Sequence, residues 1–226
     1  MKNNKVLHKK GIYEKYIKRI LDFTISLIAL IGLSPILLII AILVKSTSKG
    51  NIFFLQRRLG KDGKEFNIIK FRTMIPNAEK IGDGLRVNSE SDSRITKIGK
   101  ILRKTSLDEL PQIINVLIGE MSLIGPRPPV IYYPHRYEDY SEEQKQRFTV
   151  RPGITGLAQV RVRNSATWDE RIEIDIEYIK NISFILDIKI LFSTVKQVVN
   201  TKNIYADKDK NKVKNIDKAE ERVQRV

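Results

Sequence analysis

From residue 20 to residue 44 the chain is apolar at nearly every position, broken only by Asp22, by small and hydroxyl residues and by Ser34-Pro35. A run of that length predicts a membrane helix. It is too long for a signal peptide, and no small-residue cleavage site follows before Lys45. Lys9, Lys10, Lys15, Lys18 and Arg19 precede the run, and Lys45, Lys49, Arg57 and Arg58 follow it. Positive charge on both flanks would hold both ends in the cytoplasm. A helix that enters, bends and leaves by the same leaflet satisfies that, whereas a straight span does not. Pro35 supplies a bend, because it lacks an N–H and clashes with the carbonyl four residues back, near Ile31, and Ser34 can bond the carbonyl so freed. A plain single-pass span accounts for the length equally well, since prolines are tolerated in spanning helices.

Shorter patterns follow. Ile52-Phe53-Phe54-Leu55 and Phe66-Asn67-Ile68-Ile69-Lys70-Phe71 predict two strands, joined by a turn containing Asp62-Gly63. Residues 76–93 are polar, hold Gly82 and Gly84, and predict a loop. Short helices are expected over 95–102 and 108–118, the second closed by Gly119. Gly125-Pro126-Arg127-Pro128-Pro129 and Arg151-Pro152-Gly153-Ile154-Thr155-Gly156 predict stiff turns, each presenting one arginine. Ile172, Ile174 and Ile176 alternate as in a strand, but Trp168, Ile172, Ile176 and Ile179 share a helical face, which favours a helix. Residues 182–199 are apolar with Asp187, Lys189 and Lys196 spaced through them, as in a helix packed on a domain or lying on a membrane surface. From residue 201 the chain is charged with no apolar face, a composition that predicts disorder.

Charge narrows the partners. The 226 residues include 41 Lys and Arg against 26 Asp and Glu, a formal net charge of +15, which favours nucleic acid, acidic lipid or phosphorylated substrates. With no cysteine, disulfides and thiolate sites are excluded; with only His8 and His135, so is a histidine-rich metal site. Any metal must be held by oxygen, which points to Mg²⁺ or a relative.

Against that basic background the segment Leu102-Arg103-Lys104-Thr105-Ser106-Leu107-Asp108-Glu109-Leu110-Pro111-Gln112 sets two adjacent carboxylates behind two cations. Ser106 and Glu109 have capping-box spacing, which would put Asp108 and Glu109 in a first helical turn, where free N–H groups and the helix dipole keep carboxylates ionised. The ordinary reading is helix stabilisation alone. Arg103, Arg127 and Arg151 shift the balance, because all three lie beside helix starts or rigid turns rather than in charged tails. Arginine recognises phosphate through several planar donors, and a carboxylate among arginines suits phosphoryl transfer, either binding a metal or attacking phosphorus itself. Neither a glycine-rich P-loop nor a dinucleotide fingerprint is present, so kinase and NTPase chemistry has no support.

Four segments in order, Lys70-Phe71-Arg72-Thr73-Met74, Ser106 to Gln112, Met121-Ser122-Leu123-Ile124-Gly125-Pro126-Arg127-Pro128 and Arg151 to Val160, resemble the bacterial sugar transferase family. The likeness runs from about residue 13 to residue 199, and the stretch from Arg163-Asn164-Ser165 to Trp168 is similar to that of small monotopic phosphoglycosyl transferases, without the four extra N-terminal spans of larger members. The resemblance implies an α+β protein: a mainly helical cytoplasmic domain with a small β-hairpin, a re-entrant helix bent at Ser34-Pro35, and amphipathic helices on the membrane surface. The divisions it implies are a basic segment over 1–19, the re-entrant helix over 20–45, a catalytic domain over 46–200 and a charged tail over 201–226.

It further implies that Asp108 attacks the sugar-bearing phosphorus of a UDP-sugar, expelling UMP. Polyprenyl phosphate, undecaprenyl phosphate in bacteria, would then take the sugar phosphate at the inner leaflet of the cytoplasmic membrane, which begins assembly of a surface or protein-linked glycan. Mg²⁺ would sit at Asp108 and Glu109; Arg103, Arg127 and Arg151 would hold phosphates. Glu109 is assigned to metal or proton handling, Lys70 and Arg72 add charge, and Gln159 faces the nucleotide. Leu157 stands where many relatives carry tryptophan, and Arg161-Val162-Arg163 departs from the asparagine-glycine pair common before that arginine, so sugar choice stays open. A homodimer is compatible with this reading.

A competing reading is a non-enzymatic, membrane-anchored basic protein that recruits anionic lipid or partner proteins. It leaves the Asp108-Glu109 pair and the arginine turns unexplained. A nucleic-acid binder has no place for the apolar run, and the aromatic residues are not interleaved with basic ones as a stacking platform requires.

Overall fold

The computed structural model describes residues 11–78, 81, 92–162 and 166–199. Most of the expected loop over 76–93, the segment 163–165 and the tail from residue 201 lie outside them. A π-helical turn, Tyr13–Ile17, leads into α1, Lys18–Thr47, which runs through Pro35. Ser34 Oγ donates to Ile31 O at 2.7 Å, the carbonyl that the proline leaves without its usual donor. Around that point Ile25, Ile28, Ile31, Leu38 and Ile39 are exposed.

Both ends of α1 are tied to the same folded domain. Near its start, Arg19 donates to Val116 O and Leu117 O at 2.6 and 2.9 Å, and the buried Asp22 accepts from Leu123 N at 3.1 Å. Lys18 and Tyr13 both reach Asp187 Oδ2, at 2.6 and 2.7 Å, while Tyr178 Oη donates to Asp187 Oδ1 at 2.7 Å. Near its end, Ile40 and Val44 pack on Phe71 and Leu102. Arg72 Nη2 donates to Ser48 O and Ser48 Oγ at 2.8 and 2.7 Å, and its Nη1 to Lys49 O at 2.8 Å. A cation on the last carbonyls of a helix satisfies groups that have no partner within it and complements the helix dipole.

The expected hairpin forms from β1, Phe53–Leu59, and β2, Glu65–Phe71, in antiparallel register with Leu55 opposite Ile69. Its turn places Asp62 at φ 55° and Gly63 at φ 73°, the left-handed conformation that this residue pair tolerates. Next come α2, Lys97–Thr105, and α3, Gln112–Ile118, the latter closed by Gly119 at φ 89°. The fully buried Asn115 of α3 accepts from Ile69 N at 3.0 Å and donates to Asn67 O at 2.8 Å, meeting backbone groups of β2 that a two-stranded ladder leaves unpaired. That contact fixes α3 against the strand that carries Lys70.

Two short strands join what the sequence presented as separate stiff turns. β3, Ser122–Ile124, pairs in parallel with β4, Gly153–Thr155. Glycines make this approach possible. A Cβ on Gly153 would stand 2.1 Å from Gly125 N, and one on Gly156 would stand 2.1 Å from Gly125 O. The helix α4, Leu157–Val162, follows, then α5, Trp168–Lys180, and α6, Phe184–Val199. The helical reading of 168–179 holds, with Ile172, Ile176 and Ile179 buried, and Thr167 and Glu170 form a complete capping box at its start. On α6, Phe184, Ile185, Phe192 and Val195 are exposed.

Because the β3–β4 contact is backbone against backbone, Gly153→Ala should force the two turns apart. We expect a loss of about 2–3 kcal/mol, read as a lower unfolding midpoint of the detergent-solubilised protein. An unchanged midpoint would show that the two turns tolerate separation.

Candidate active site

The strands and turns above bring five of the sequence-identified side chains together: Lys70, Arg103, Asp108, Glu109 and Arg127. Glu109 Oε1 accepts from Lys70 Nζ of β2 at 2.5 Å and from Arg127 Nη2 at 3.3 Å. Burial alone would raise the Glu109 pKa, but the two cations outweigh it and hold the carboxyl well below the usual carboxylate range. Lys70 is shifted down by its burial, against which Glu109 is the main restoring charge.

Asp108 is different. It makes no ion pair and no side-chain hydrogen bond to another residue among the described residues. Burial raises its pKa to about 6; Lys70 and Arg103 pull it down, and the neighbouring Glu109 pushes it up. The expected capping box is not formed. Ser106 sits at φ 56°, ψ 17°, closing α2 with its own N–H, and Leu107–Glu109 form a 3₁₀ turn ahead of α3. An N-cap needs an extended backbone, so the serine hydroxyl cannot serve Glu109. The geometry thus offers one carboxylate neutralised by two cations beside one poised carboxylate that pairs with none among the described residues.

Arg103 lies in the last turn of α2, half-buried, and its charge acts on Asp108. Arg151 is elsewhere: its Nε donates to Gly119 O at 2.7 Å, at the far end of α3, beside the carbonyls that Arg19 holds. Arg72 is buried in the clamp on α1 and the 48–49 carbonyls. Gln159 Nε2 donates to Ile154 O at 3.2 Å, with its Oε1 buried and unpartnered. No contact joins Arg151, Arg72 or Gln159 to the carboxylate pair.

Behind Arg127 is a buried pair that sequence reading missed. Arg147 Nη2 donates to Asp175 Oδ2 at 2.7 Å and to Arg127 O at 3.0 Å. Burial lifts the Asp175 pKa to about 6, with Arg147 opposing it. Trp168, Arg171 and Asp175 share one face of α5, and that helical spacing was the available signal.

Among the described residues no three acidic or histidine side chains gather into a metal cage. Mg²⁺ needs less, since it commonly takes one or two carboxylates and completes its shell with water and substrate phosphate. An uncommitted Asp108 beside Glu109, whose Oε1 is shared by two cations, fits that requirement.

The structure thus sets a hairpin-bearing helical domain on an apolar helix, with an Asp-Glu pair among Lys70, Arg103 and Arg127. The chain matches the family model "Bacterial sugar transferase" over residues 13–201 and belongs to that family. It is 44% identical over 195 residues to the UDP-glucose:undecaprenyl-phosphate glucose-1-phosphate transferase of Klebsiella pneumoniae, an alignment covering 83% of this chain and 41% of that protein. It is 42% identical over 187 residues to the UDP-N-acetylgalactosamine-undecaprenyl-phosphate N-acetylgalactosaminephosphotransferase of Aeromonas hydrophila, covering 81% of this chain and 44% of that one. The uncharacterized sugar transferase EpsL of Bacillus subtilis is 41% identical over 188 residues, covering 83% of this chain and 90% of its own length. The chain thus spans about two fifths of the first of these relatives.

A carboxyl whose pKa is higher in the folded protein than in the unfolded chain costs stability once it ionises. For Asp108 that cost grows as pH rises from about 4 toward about 6 and is complete above it. Asp108→Asn should therefore stabilise the fold at pH 7.5 by roughly 2 kcal/mol while abolishing activity. A lower unfolding midpoint for this variant would contradict the assignment of strain to Asp108.

Proposed function

We propose that the protein transfers a sugar 1-phosphate from a UDP-sugar to polyprenyl phosphate, releasing UMP, through a covalent aspartyl intermediate. The observation that carries the reading is the uncommitted, half-buried Asp108 next to a Glu109 already neutralised by Lys70 and Arg127. The activities for which the Klebsiella and Aeromonas relatives are named support the donor and acceptor classes.

In the first half-reaction an Asp108 carboxylate oxygen bonds to the sugar-bearing phosphorus as the bond from that phosphorus to the UMP oxygen breaks. UMP leaves with the electron pair, and an acyl phosphate joins Asp108 to the sugar phosphate. In the second, a phosphate oxygen of the polyprenyl phosphate bonds to the same phosphorus and the Asp108 carboxylate departs unchanged. Arg103 and Arg127 bind and orient the phosphates, and Lys70 keeps Glu109 charged and in place. Mg²⁺ held by Asp108 and Glu109 would supply charge neutralisation on the phosphate oxygens.

The acceptor is a lipid, so the site must face a bilayer. Docking of both ends of α1 on one domain supports a re-entrant helix bent at Ser34-Pro35, with the catalytic domain on the cytoplasmic side of the cytoplasmic membrane. The cationic flanks agree with that sidedness. The exposed apolar side chains of α6 suit a helix resting on the same surface.

UMP release, measured across a panel of UDP-sugars with undecaprenyl phosphate, tests the activity. It should occur with at least one donor, stop in excess EDTA, and show an acid limb in which kcat/KM falls as pH drops through about 6, because the nucleophile must be ionised. No release from any donor, or full activity with EDTA, would contradict the respective claim. For topology, the chain's lack of cysteine allows single replacements Gly11→Cys and Asn51→Cys, both at exposed positions. An impermeant thiol reagent should label both in inverted vesicles and neither in intact cells. Labelling of Gly11→Cys alone from outside would establish an ordinary span.

A further inference from the structure

Arg171 holds a charge that the fold leaves unbalanced. It lies on α5 between Trp168 and Asp175, three and four residues away, so all three share one face. Its guanidinium carbon stands 5.5 Å from the Trp168 ring centroid, and Trp168 meets Tyr133 edge to face at 6.0 Å. Asp175, one turn on, is the natural counter-ion, but its Oδ2 is taken by the buried Arg147 at 2.7 Å. Arg171 therefore makes no ion pair among the described residues, and its Nε is buried without a hydrogen-bond partner. Burial first, then the neighbouring charge of Arg127, pulls its pKa below the usual value. Partly desolvated guanidiniums that share one neighbourhood, where the nearest carboxylate is spent on a third, carry a cost that a bound anion removes.

We infer that Arg171 and Arg127 form an anion subsite for the phosphate that leaves with the nucleoside. The inference rests on the transferase reading for the identity of that phosphate. The reacting phosphorus has to lie within reach of Asp108, where Arg103 acts. Arg127 pairs with Glu109 on that side, its carbonyl is held by Arg147, which lies over the same Trp168 ring as Arg171, and the second phosphate of a diphosphate is bonded to the first. The Arg147 bond to Arg127 O, backed by Asp175, holds the backbone of Arg127 while its guanidinium is shared between Glu109 and the anion. Trp168 supplies a flat wall that restricts the Arg171 side chain, so little freedom is lost on binding.

Trp168 is the only tryptophan in the chain, so its fluorescence reports on this subsite without turnover. The full-length protein in detergent is titrated with UMP, exciting at the red edge of tryptophan absorption. The wild type should show a saturable change. Arg171→Gln should weaken UMP binding by about tenfold or more, and Arg171→Lys by about threefold or more, because the charge stays but the planar fork is lost. Unfolding midpoints are measured in parallel, and if Arg171→Gln does not fold, Arg171→Lys decides. Wild-type affinity in the folded variants, or no saturable response of the wild type to UMP, would overturn the subsite. If the wild type turns over a UDP-sugar while UMP binds independently of Arg171, the subsite falls and the transferase stands. If UMP binding depends on Arg171 while no UDP-sugar is turned over, the anion subsite stands and the transferase falls.

Discussion

A half-buried carboxylate, Glu109, must be neutralised where it stands, and the elements that neutralise it come from opposite parts of the chain. Lys70 arrives on β2 and Arg127 on the turn after β3. Either cation alone leaves the carboxylate paired; losing both would leave a charge of the kind that costs several kcal/mol. Asn115 holds β2 against α3, the buried Arg147 holds the backbone of Arg127, and close-packed glycines hold the two arginine turns together. Asp108 gains its properties by being left out. Its neighbour absorbs the local cations, burial lifts its pKa, and nothing fixes its carboxylate.

The same domain also fastens an apolar helix at both ends. Arg19 and Arg72 perform matching tasks, each placing a guanidinium on backbone carbonyls across the junction between α1 and the domain. Asp187 gathers Tyr13, Lys18 and Tyr178 at the start of α1, so the approach of α1, α5 and α6 is set by one buried carboxylate. Because α3 runs from the Asp108-Glu109 turn to the carbonyls that Arg19 and Arg151 hold, the anchored helix and the chemical site are braced through a single short rod. On the proposed reading, an enzyme that passes a soluble donor's phosphate to a lipid acceptor needs its reactive group at a fixed height above the bilayer, and this bracing is what would hold it there.

What could be read in advance followed from local periodicity and local chemistry. The hairpin announced itself through two apolar runs on either side of Asp62-Gly63, α5 through the face shared by Ile172, Ile176 and Ile179, and the Ser34 bond to Ile31 O through the geometry of proline in a helix. The failures are tertiary. Strands as short as β3 and β4 leave no period, so two motifs that pair in parallel looked like independent turns. Ser106 has capping-box spacing but a left-handed backbone, a conformation imposed by the tight junction of α2 with the following 3₁₀ turn. Arg72 looked like one more cation for a phosphate, yet the position of α1 commits it to carbonyls. The shared helical face placed Asp175 beside Trp168, but nothing local pointed to Arg147 as its partner, because a buried ion pair is invisible until the elements that carry it meet.

The central claim is that Asp108 becomes covalently bonded to the sugar phosphate. The most direct measurement mixes the full-length protein with a UDP-sugar that supports turnover, omits the lipid acceptor, and follows both UMP and the intact protein mass. The account predicts a stoichiometric burst of UMP and a mass gain of one sugar phosphate on the peptide containing Asp108, discharged when polyprenyl phosphate is added. UMP release that begins only with the acceptor, with no mass gain at any time, would contradict it.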